Sequence, residues 1–463
     1  MTHERMDQST TAVIVGAGFA GIGCAKALAK DGVHVVLLDR NNYHQFQPLL
    51  YQVATAMLAP SDVGAPLRTL FRGVENVRVV QGDVTSVDPA GLSVTTADGQ
   101  TYAGDYLVLA GGAQPAFFRT PGAAEHAFPL YSLQDAERLR SRVFELYDEV
   151  DRDPALLDKG ALDFVVVGAG PTGVETAGAL ADLVHQVLPR QYPDLPVQAT
   201  RIYLVDLGHS VLPAFSAPAH EYAAKVLARN GVLLRLGQSV REVAPGHVVL
   251  GDGTEIPTRC TIWAGGEKAA SLARASGLGL GRGGRVDVLP DLSVEGHPRL
   301  FVLGDLANIA DQDGTDLPQL GSVALQSGQW TAASIRADLA GRPRTPFRYH
   351  DKGIMAMISR GSAVAEVGAR RHELHGPIAF ASWLGVHAWL MSGVRTRIDA
   401  FVSWGWDYFS QNRAPGLLDQ PDAARIDWRD EDISDADTPD PSVPEQQGAR
   451  GAAGSSAPVI PGG

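Results

Sequence analysis

Two stretches of this chain share one design, and few folds accommodate both. The first runs from Ala12 to Gly21, A-V-I-V-G-A-G-F-A-G, and the second from Phe164 to Glu175, F-V-V-V-G-A-G-P-T-G-V-E. Each is an apolar run of strand length, then G-x-G-x-x-G, then a helix-like run. In such a unit Gly16 and Gly168 permit a tight turn out of the strand. Gly18 and Gly170 let the backbone approach a pyrophosphate, and Gly21 and Gly173 let the helix pack close to the sheet. The phosphates then sit at the helix N-terminus, where free N–H groups and about half a positive charge attract anions. One such run is compatible with a plain strand–helix turn. Two in one chain predict two dinucleotide sites.

The flanking sequence fits. His34 to Leu38 reads as the second strand after the first motif and ends in Asp39, 23 residues after Gly16. An acid there can bond both ribose hydroxyls of an adenosine. The second motif is followed by the strand Arg201 to Val205, again ending in an acid, Asp206, with no arginine directly after it. Like charges ~4 Å apart repel by ~4 kcal/mol at an effective dielectric near 20, so Asp206 opposes a 2′-phosphate and predicts NADH over NADPH. After each unit the pattern changes to short alternating strands with turn signals, over 77–109 and again over 231–253. A further apolar strand, Leu300 to Leu303, runs into Gly304-Asp305, and Pro318 to Leu339 reads as a long helix whose N-terminus would place partial positive charge near a flavin. The order is therefore βαβ, meander, βαβ, meander, strand–helix.

This order predicts an α/β protein with two Rossmann-like dinucleotide-binding domains, the second inserted in the first; a C-terminal membrane-associating region is expected beyond them from the residues described below. The expected boundaries are 11–125 with 290–345 for a discontinuous FAD domain and 160–285 for an NADH domain. Residues 346–418 form the C-terminal region, and 419–463 a disordered acidic tail. A length of 463 residues suits two or three domains, and a net charge of −13 argues against nucleic acid as a partner. Much of that charge is local: 419–450 holds ten acids and three bases, before a Pro, Gly, Ser and Ala-rich end. The two cysteines, Cys24 and Cys260, form no C-x-x-C pair, sit in apolar runs, and read as buried small hydrophobes. No metal-ligating pattern is expected. The polar N-terminus lacks an apolar signal core, which argues against secretion.

At this point the chain resembles the pyridine nucleotide–disulfide reductase-like superfamily, and within it the type II NADH dehydrogenases. The likeness spans about Thr11 to Leu418. Phe46-Gln47-Pro48-Leu49-Leu50-Tyr51-Gln52-Val53-Ala54-Thr55 resembles the family's flavin-side loop, and Gly168 to Ala177, with Glu175, its NADH motif. Val211 to Phe215 and Trp263-Ala264-Gly265-Gly266 match further segments. Gly304-Asp305 resembles the FAD-ribityl motif, and Tyr349 to Arg360 the C-terminal strand pair. The resemblance implies a single-subunit enzyme that passes electrons from NADH through FAD to a membrane quinone without pumping protons. It implies a homodimer bound peripherally on the cytoplasmic side of the cell membrane. It places Gln47, Tyr51, Gly265, Gly304 and Asp305 at the cofactors and gives Glu175 the task of orienting nicotinamide or ribose. Disulfide reductases and sulfide:quinone reductases need reactive cysteines; Cys24 and Cys260 fit neither pattern, so electrons are expected to pass through the flavin alone.

One departure concerns the acceptor. The family's quinone site carries A-Q-x-A-x-Q, where this chain reads Gly321-Ser322-Val323-Ala324-Leu325-Gln326. Gln326 keeps the second glutamine and Ser322 replaces the first. One helical turn apart, both should face the same side. Serine reaches less far and offers fewer polar atoms, so oxygen, a ferredoxin or another soluble oxidant stands as the alternative acceptor.

The C-terminal region bears on the membrane. Gly376 to Val394 contains no Asp, Glu, Lys or Arg. At 1.5 Å per residue it would span about 28 Å, close to a bilayer core of ~30 Å. Its Gly, Ala, Ser, His and Pro content argues against a span. Arg395 and Arg397 beside Ile398, Phe401, Val402, Trp404, Trp406, Tyr408 and Phe409 suit a helix lying on a lipid surface.

Overall fold

In the computed structural model, residues 10–368, 370–410 and 413 are described; the acidic stretch expected over 419–463 lies outside them. The chain opens with strand β1 (Thr11–Val15), helix α1 (Phe19–Lys30) and strand β2 (His34–Asp39). β1 pairs in parallel with β2, from Thr11↔His34 to Val15↔Leu38. Strands β3 (Val77–Gln81) and β4 (Tyr106–Leu109) follow, separated by a small antiparallel meander over 84–103. The chain then leaves this sheet.

It builds a second sheet from β5 (Ala127–Pro129), helix α2 (Leu133–Arg152), β6 (Asp163–Val167), helix α3 (Pro171–Gln186), β7 (Arg201–Asp206), β8 (Val232–Leu236) and β9 (Cys260–Trp263). Its order is β5-β9-β6-β7-β8, all parallel, with a second meander over 240–257. α2 starts where its sequence says it should. Ser132 Oγ accepts from Asp135 N–H at 3.1 Å, and Asp135 accepts from Ser132 N–H at 2.7 Å, so two free helix-end donors are satisfied reciprocally.

Only then does the chain return, through β10 (Ser293–Val294) and β11 (His297–Val302), to complete the first sheet in the order β10-β11-β4-β1-β2-β3. β11 pairs in parallel with β4. The central strands of both sheets are apolar throughout because helices or loops cover both faces. Helix α4 (Gly321–Leu339) packs across α1, its Gly328 so close that a Cβ would sit 2.1 Å from Ala20 O. α4 begins three residues later than the sequence predicts, because Leu320 is still extended and serves as the N-cap.

The C-terminal part is an antiparallel sheet of β12 (Gly353–Ser359), β13 (Ser362–Val367) and β14 (His372–His375), followed by helices α5 (Gly376–Leu390) and α6 (Val394–Ser410). The uncharged 376–394 stretch is therefore broken. The helix stops at Met391, whose extended backbone ends it, and Gly393 turns the chain with φ of +99°. Arg395 and Arg397 lie in the first turn of α6. No helix among the described residues is long and apolar enough to cross a membrane. α5 and α6 bury Trp383, Ala379, Ala388, Ala400 and Trp404 in the larger core, which also holds α2 and α3. Their other faces are exposed: Trp389, Val394, Val402 and Phe409 are 75%, 72%, 64% and 87% accessible.

Candidate functional site

The first glycine turn lines a long cleft. Gly16 has φ of +97°, and a Cβ there would lie 2.2 Å from Ala110 O. A Cβ at Gly21 would lie 1.8 Å from Gly16 O, so α1 can sit on the turn only with glycine at that position. Gly18 is different: a Cβ there would meet no protein atom within 4 Å. Packing does not require that glycine, and the space above it, at the N-terminus of α1, fits a pyrophosphate. Asp39 lies in the same cleft and accepts from Ala17 N–H at 2.6 Å and Asn41 N–H at 2.7 Å. Burial raises its pKa against those two donors.

The cleft continues along Gly111 to Gln114, Gln47, Tyr131, Gly304, Asp305 and Ala324 of α4. Gly304, with φ of +59°, directs its N–H at Ser327 Oγ, 3.3 Å away. The Asp305 carboxyl is pushed up to about 6 by burial. The cleft thus offers a phosphate-sized gap at one end and polar side chains along its length, which suits FAD. Tyr131 lines the cleft and Glu267 lies close enough to Asp305 to interact with it, and the sequence revealed neither. Tyr131 Oη accepts from Ala113 N–H at 3.1 Å, and Gln47 of the flavin-side loop lines the cleft with it. Glu267 sits on a strand pair with 113–115 and is pushed up to about 8, first by burial and then by the Asp305 charge, with Arg285 opposing. Neither residue belongs to a local motif; Tyr131 is tied to the cleft by its bond to Ala113, and Glu267 arrives through pairing of distant segments.

The second turn repeats the first to within tenths of an ångström. Gly168 has φ of +104° and a Cβ would lie 2.2 Å from Ala264 O. A Cβ at Gly173 would lie 1.8 Å from Gly168 O, and one at Gly170 would again meet nothing within 4 Å. Asp206 accepts from Ala169 N–H and Gly208 N–H, both at 2.6 Å. The residue after it, Leu207, is exposed, so no cation stands beside the carboxylate in sequence. Gly265 faces the Trp263 ring, where a Cβ would be 3.3 Å from the indole.

The remaining expected residues lie away from these two turns. Tyr51 does not line the cleft. It sits on a short helical turn, Leu50–Ala54, with 2% of its surface exposed, and its hydroxyl accepts from Gln52 Nε2 at 3.0 Å. Gln52 in turn accepts from Trp404 Nε1 of α6 at 2.7 Å. Glu175 on α3 is enclosed, not open to the face above Gly170: its Oε1 accepts from Met357 N–H of β12 at 3.0 Å, and burial pushes its carboxyl up to about 8. Ser322 and Gln326 do share a face of α4, and that face meets the segment leading to β12. Ser322 Oγ lies 2.9 Å from Tyr349 Oη. Gln326 donates to His350 O at 3.1 Å and accepts from His350 N–H at 3.0 Å, so both ends of its amide are engaged.

Cys24 and Cys260 are fully buried, one in α1 and the other in β9, and burial pushes each thiol up to about 12. Neither is a reactive thiolate.

The pyridine nucleotide-disulphide oxidoreductase family model matches residues 10–328. The chain is 38% identical over 430 residues to the type II NADH:quinone oxidoreductase Ndh of Mycobacterium tuberculosis, covering 89% of this chain and 91% of that protein. It is 36% identical to NdhA of the same organism, covering 87% of each. The structure of NDH2 from Plasmodium falciparum in complex with NADH aligns at a TM-score of 0.81, with 16% identity, over 89% of this chain and all of that one. That last likeness is one of fold. Taken with the paired glycine turns and the two inert cysteines, these relationships place the chain in the type II NADH:quinone oxidoreductases.

Proposed function

We infer that this protein is an FAD-dependent NADH:quinone oxidoreductase. The observation that carries the reading is the pair of matching glycine turns, each with open space above its middle glycine and an acid bonded beneath it. FAD bound along the first cleft supplies the two-electron chemistry that links a hydride donor to an acceptor. The protein's own contribution is placement. Residues 11–125 and 290–345 hold FAD through Gly16, Gly18, Gly21, Asp39, Gln47, Gly304 and Asp305. Residues 160–285 hold NADH through Gly168, Gly170, Gly173, Asp206 and Gly265. Glu175, at the seam between α3 and β12, keeps the NADH-binding unit in register with the C-terminal strands. The test is rapid mixing of the purified flavoprotein. NADH should bleach the flavin within a turnover and a quinone should restore it; failure of NADH to bleach it would overturn the reading.

Residues 346–418 are the membrane-associating region in this reading, on the cytoplasmic side. Support comes from α5 and α6, whose outer faces expose Ile378, Trp389, Val394, Ile398, Phe401 and Trp406, with arginines among them, as a helix lying in a lipid interface requires. A homodimer is expected by family likeness, and solution mass measurement tests it.

One observation favours a different acceptor. The Gln326 amide is engaged at both ends by His350, and the Ser322 hydroxyl by Tyr349, which reduces the polar capacity each has left for a quinone. A soluble oxidant or oxygen is the second reading. Reoxidation rates with menaquinone, ubiquinone and oxygen, measured side by side, separate the two.

A further inference from the structure

The exposed apolar turn between α5 and α6 is bordered by bases that have no acid to neutralise them. Arg397 donates from Nε to Met391 O at 2.9 Å, and its guanidinium lies 5.6 Å from the centre of the exposed Trp389 ring. Lys26, on the exposed side of α1, is near enough to feel it. Burial of the lysine stem and then repulsion by Arg397 and Lys30 push the Lys26 pKa down. The turn itself rests on the helical turn Leu67–Leu70, where a Cβ at Gly393 would be 3.7 Å from Leu70 Cδ2. That segment carries Arg68 and Arg72, both exposed.

Among the described residues none of Lys26, Lys30, Arg68, Arg72 or Arg397 forms an ion pair. The acids of the same segments are mostly engaged. Asp399 pairs with Arg395 at 3.3 Å, and Asp31 with Arg336 at 3.1 Å. Asp62 accepts from Ser403 Oγ and Ala59 N–H. Glu75 alone is exposed and unpaired. Arg397 thus lies beside Trp389, Lys26 interacts with Arg397 and has Lys30 one helical turn beyond it, and Arg68 and Arg72 flank the Leu70 on which the turn rests; the turn exposes Trp389, Leu390, Val394 and Ile398 at 75%, 45%, 72% and 56%.

We propose that this basic rim around the α5–α6 turn selects anionic phospholipid headgroups, so that the protein docks preferentially on negatively charged bilayers. This deepens, and rests on, the membrane reading above. A second copy of the chain does not fit the patch, because a two-fold contact there would set the same five cations against themselves. A soluble polyanion leaves the interleaved Trp, Leu, Val and Ile in water. A bilayer interface satisfies both: the apolar side chains enter the acyl boundary, and the Lys and Arg heads remain at headgroup level.

Each base near an anionic surface contributes about 1 kcal/mol, about fivefold in binding. The test is co-sedimentation of the intact flavoprotein with phosphatidylcholine vesicles and with vesicles in which about a third of the lipid is phosphatidylglycerol. Wild type should bind the mixed vesicles at least ~30-fold more tightly, and added salt should erase the difference. R68A/R72A should lose about 30-fold on the mixed vesicles and little on the neutral ones. K26A/R397A should do the same, and the first pair guards against damage to the turn itself, since it leaves the Met391 bond intact. Equal binding to both vesicles overturns the headgroup inference and leaves the membrane reading standing. Binding to neither overturns both.

Discussion

Replacing Glu175 with glutamine should flatten the pH dependence of stability by an amount the structure sets. Glu175 is 8% exposed; its buried carboxyl has Met357 N–H as its backbone donor, and burial pushes it up to about 8 from 4.5. Below pH 4.5 the folded and unfolded chains both keep its proton. Between 4.5 and 8 the unfolded chain releases that proton while the folded chain holds it, so stability falls as pH rises. Above 8 the whole penalty is present. At 1.36 kcal/mol per pH unit, this one group costs the wild type about 5 kcal/mol between pH 4.5 and 9. Glutamine keeps an oxygen for Met357 N–H and has no proton to lose, so E175Q should gain that amount relative to wild type over the same range. With an unfolding entropy of roughly 2.1 cal/mol/K per residue, a chain of this size shifts about 1 °C per kcal/mol. The E175Q Tm should therefore exceed the wild-type Tm by about 5 °C at pH 9, and by little at pH 5. Scanning calorimetry across that range measures it. Parallel curves for the two proteins would refute the premise that this carboxyl is held neutral by burial.

Three further outcomes follow from the geometry. Gly170→Val adds a side chain where a Cβ meets nothing within 4 Å. The variant should fold and keep its flavin colour yet lose bleaching by NADH, whereas Gly18→Val should purify colourless. Asp206→Ala removes a carboxylate worth up to ~4 kcal/mol of repulsion against a 2′-phosphate, so the NADH-to-NADPH ratio of kcat/KM should fall at least tenfold; an unchanged ratio would refute the assignment. Trp383→Ala empties a fully buried site in the larger core and should cost about 3–5 kcal/mol in denaturant unfolding, with membrane binding lost alongside.

The two glycine turns were legible because their geometry is local. A positive φ at Gly16 and Gly168 and a sub-contact approach at Gly21 and Gly173 leave no other residue possible, and the spacing advertises it. Asp39 and Asp206 were legible for the same reason, each lying one strand beyond its turn. Tyr51 was misplaced because the segment around it has no period, and burial of the Leu50–Ala54 turn against α2 and α3 decides its direction. The engagement of Gln326 by His350 depends on a backbone segment 24 residues away. Tyr131 reaches the cleft from the connection ahead of α2, bonded to Ala113, and Glu267 comes near Asp305 through the strand pairing of 267–269 with 113–115; no local pattern encodes either. The break at Met391 came down to one residue: Gly393 offered a left-handed turn inside a run that otherwise reads as continuous helix.

The nested strand order also governs the protein's birth. β4 is made early, but its partner β11 is about 190 residues further along the chain. At ~5–20 residues per second the ribosome needs roughly 10–40 s to deliver it. For that interval the first sheet has an apolar, unpaired edge, the kind that invites pairing with other chains. Gly304 and Asp305 emerge directly behind β11, so the strand that closes the sheet also brings a wall of the flavin cleft, which Ala324 of α4 completes. The second sheet, which needs nothing beyond residue 263, is free to fold first. On the domain assignment proposed above, the half that exchanges nucleotide is complete in the nascent chain before the half that retains flavin, so a shortage of FAD should be felt late in folding; pulse-labelled chains released without FAD should then show the first sheet, not the second, open to protease.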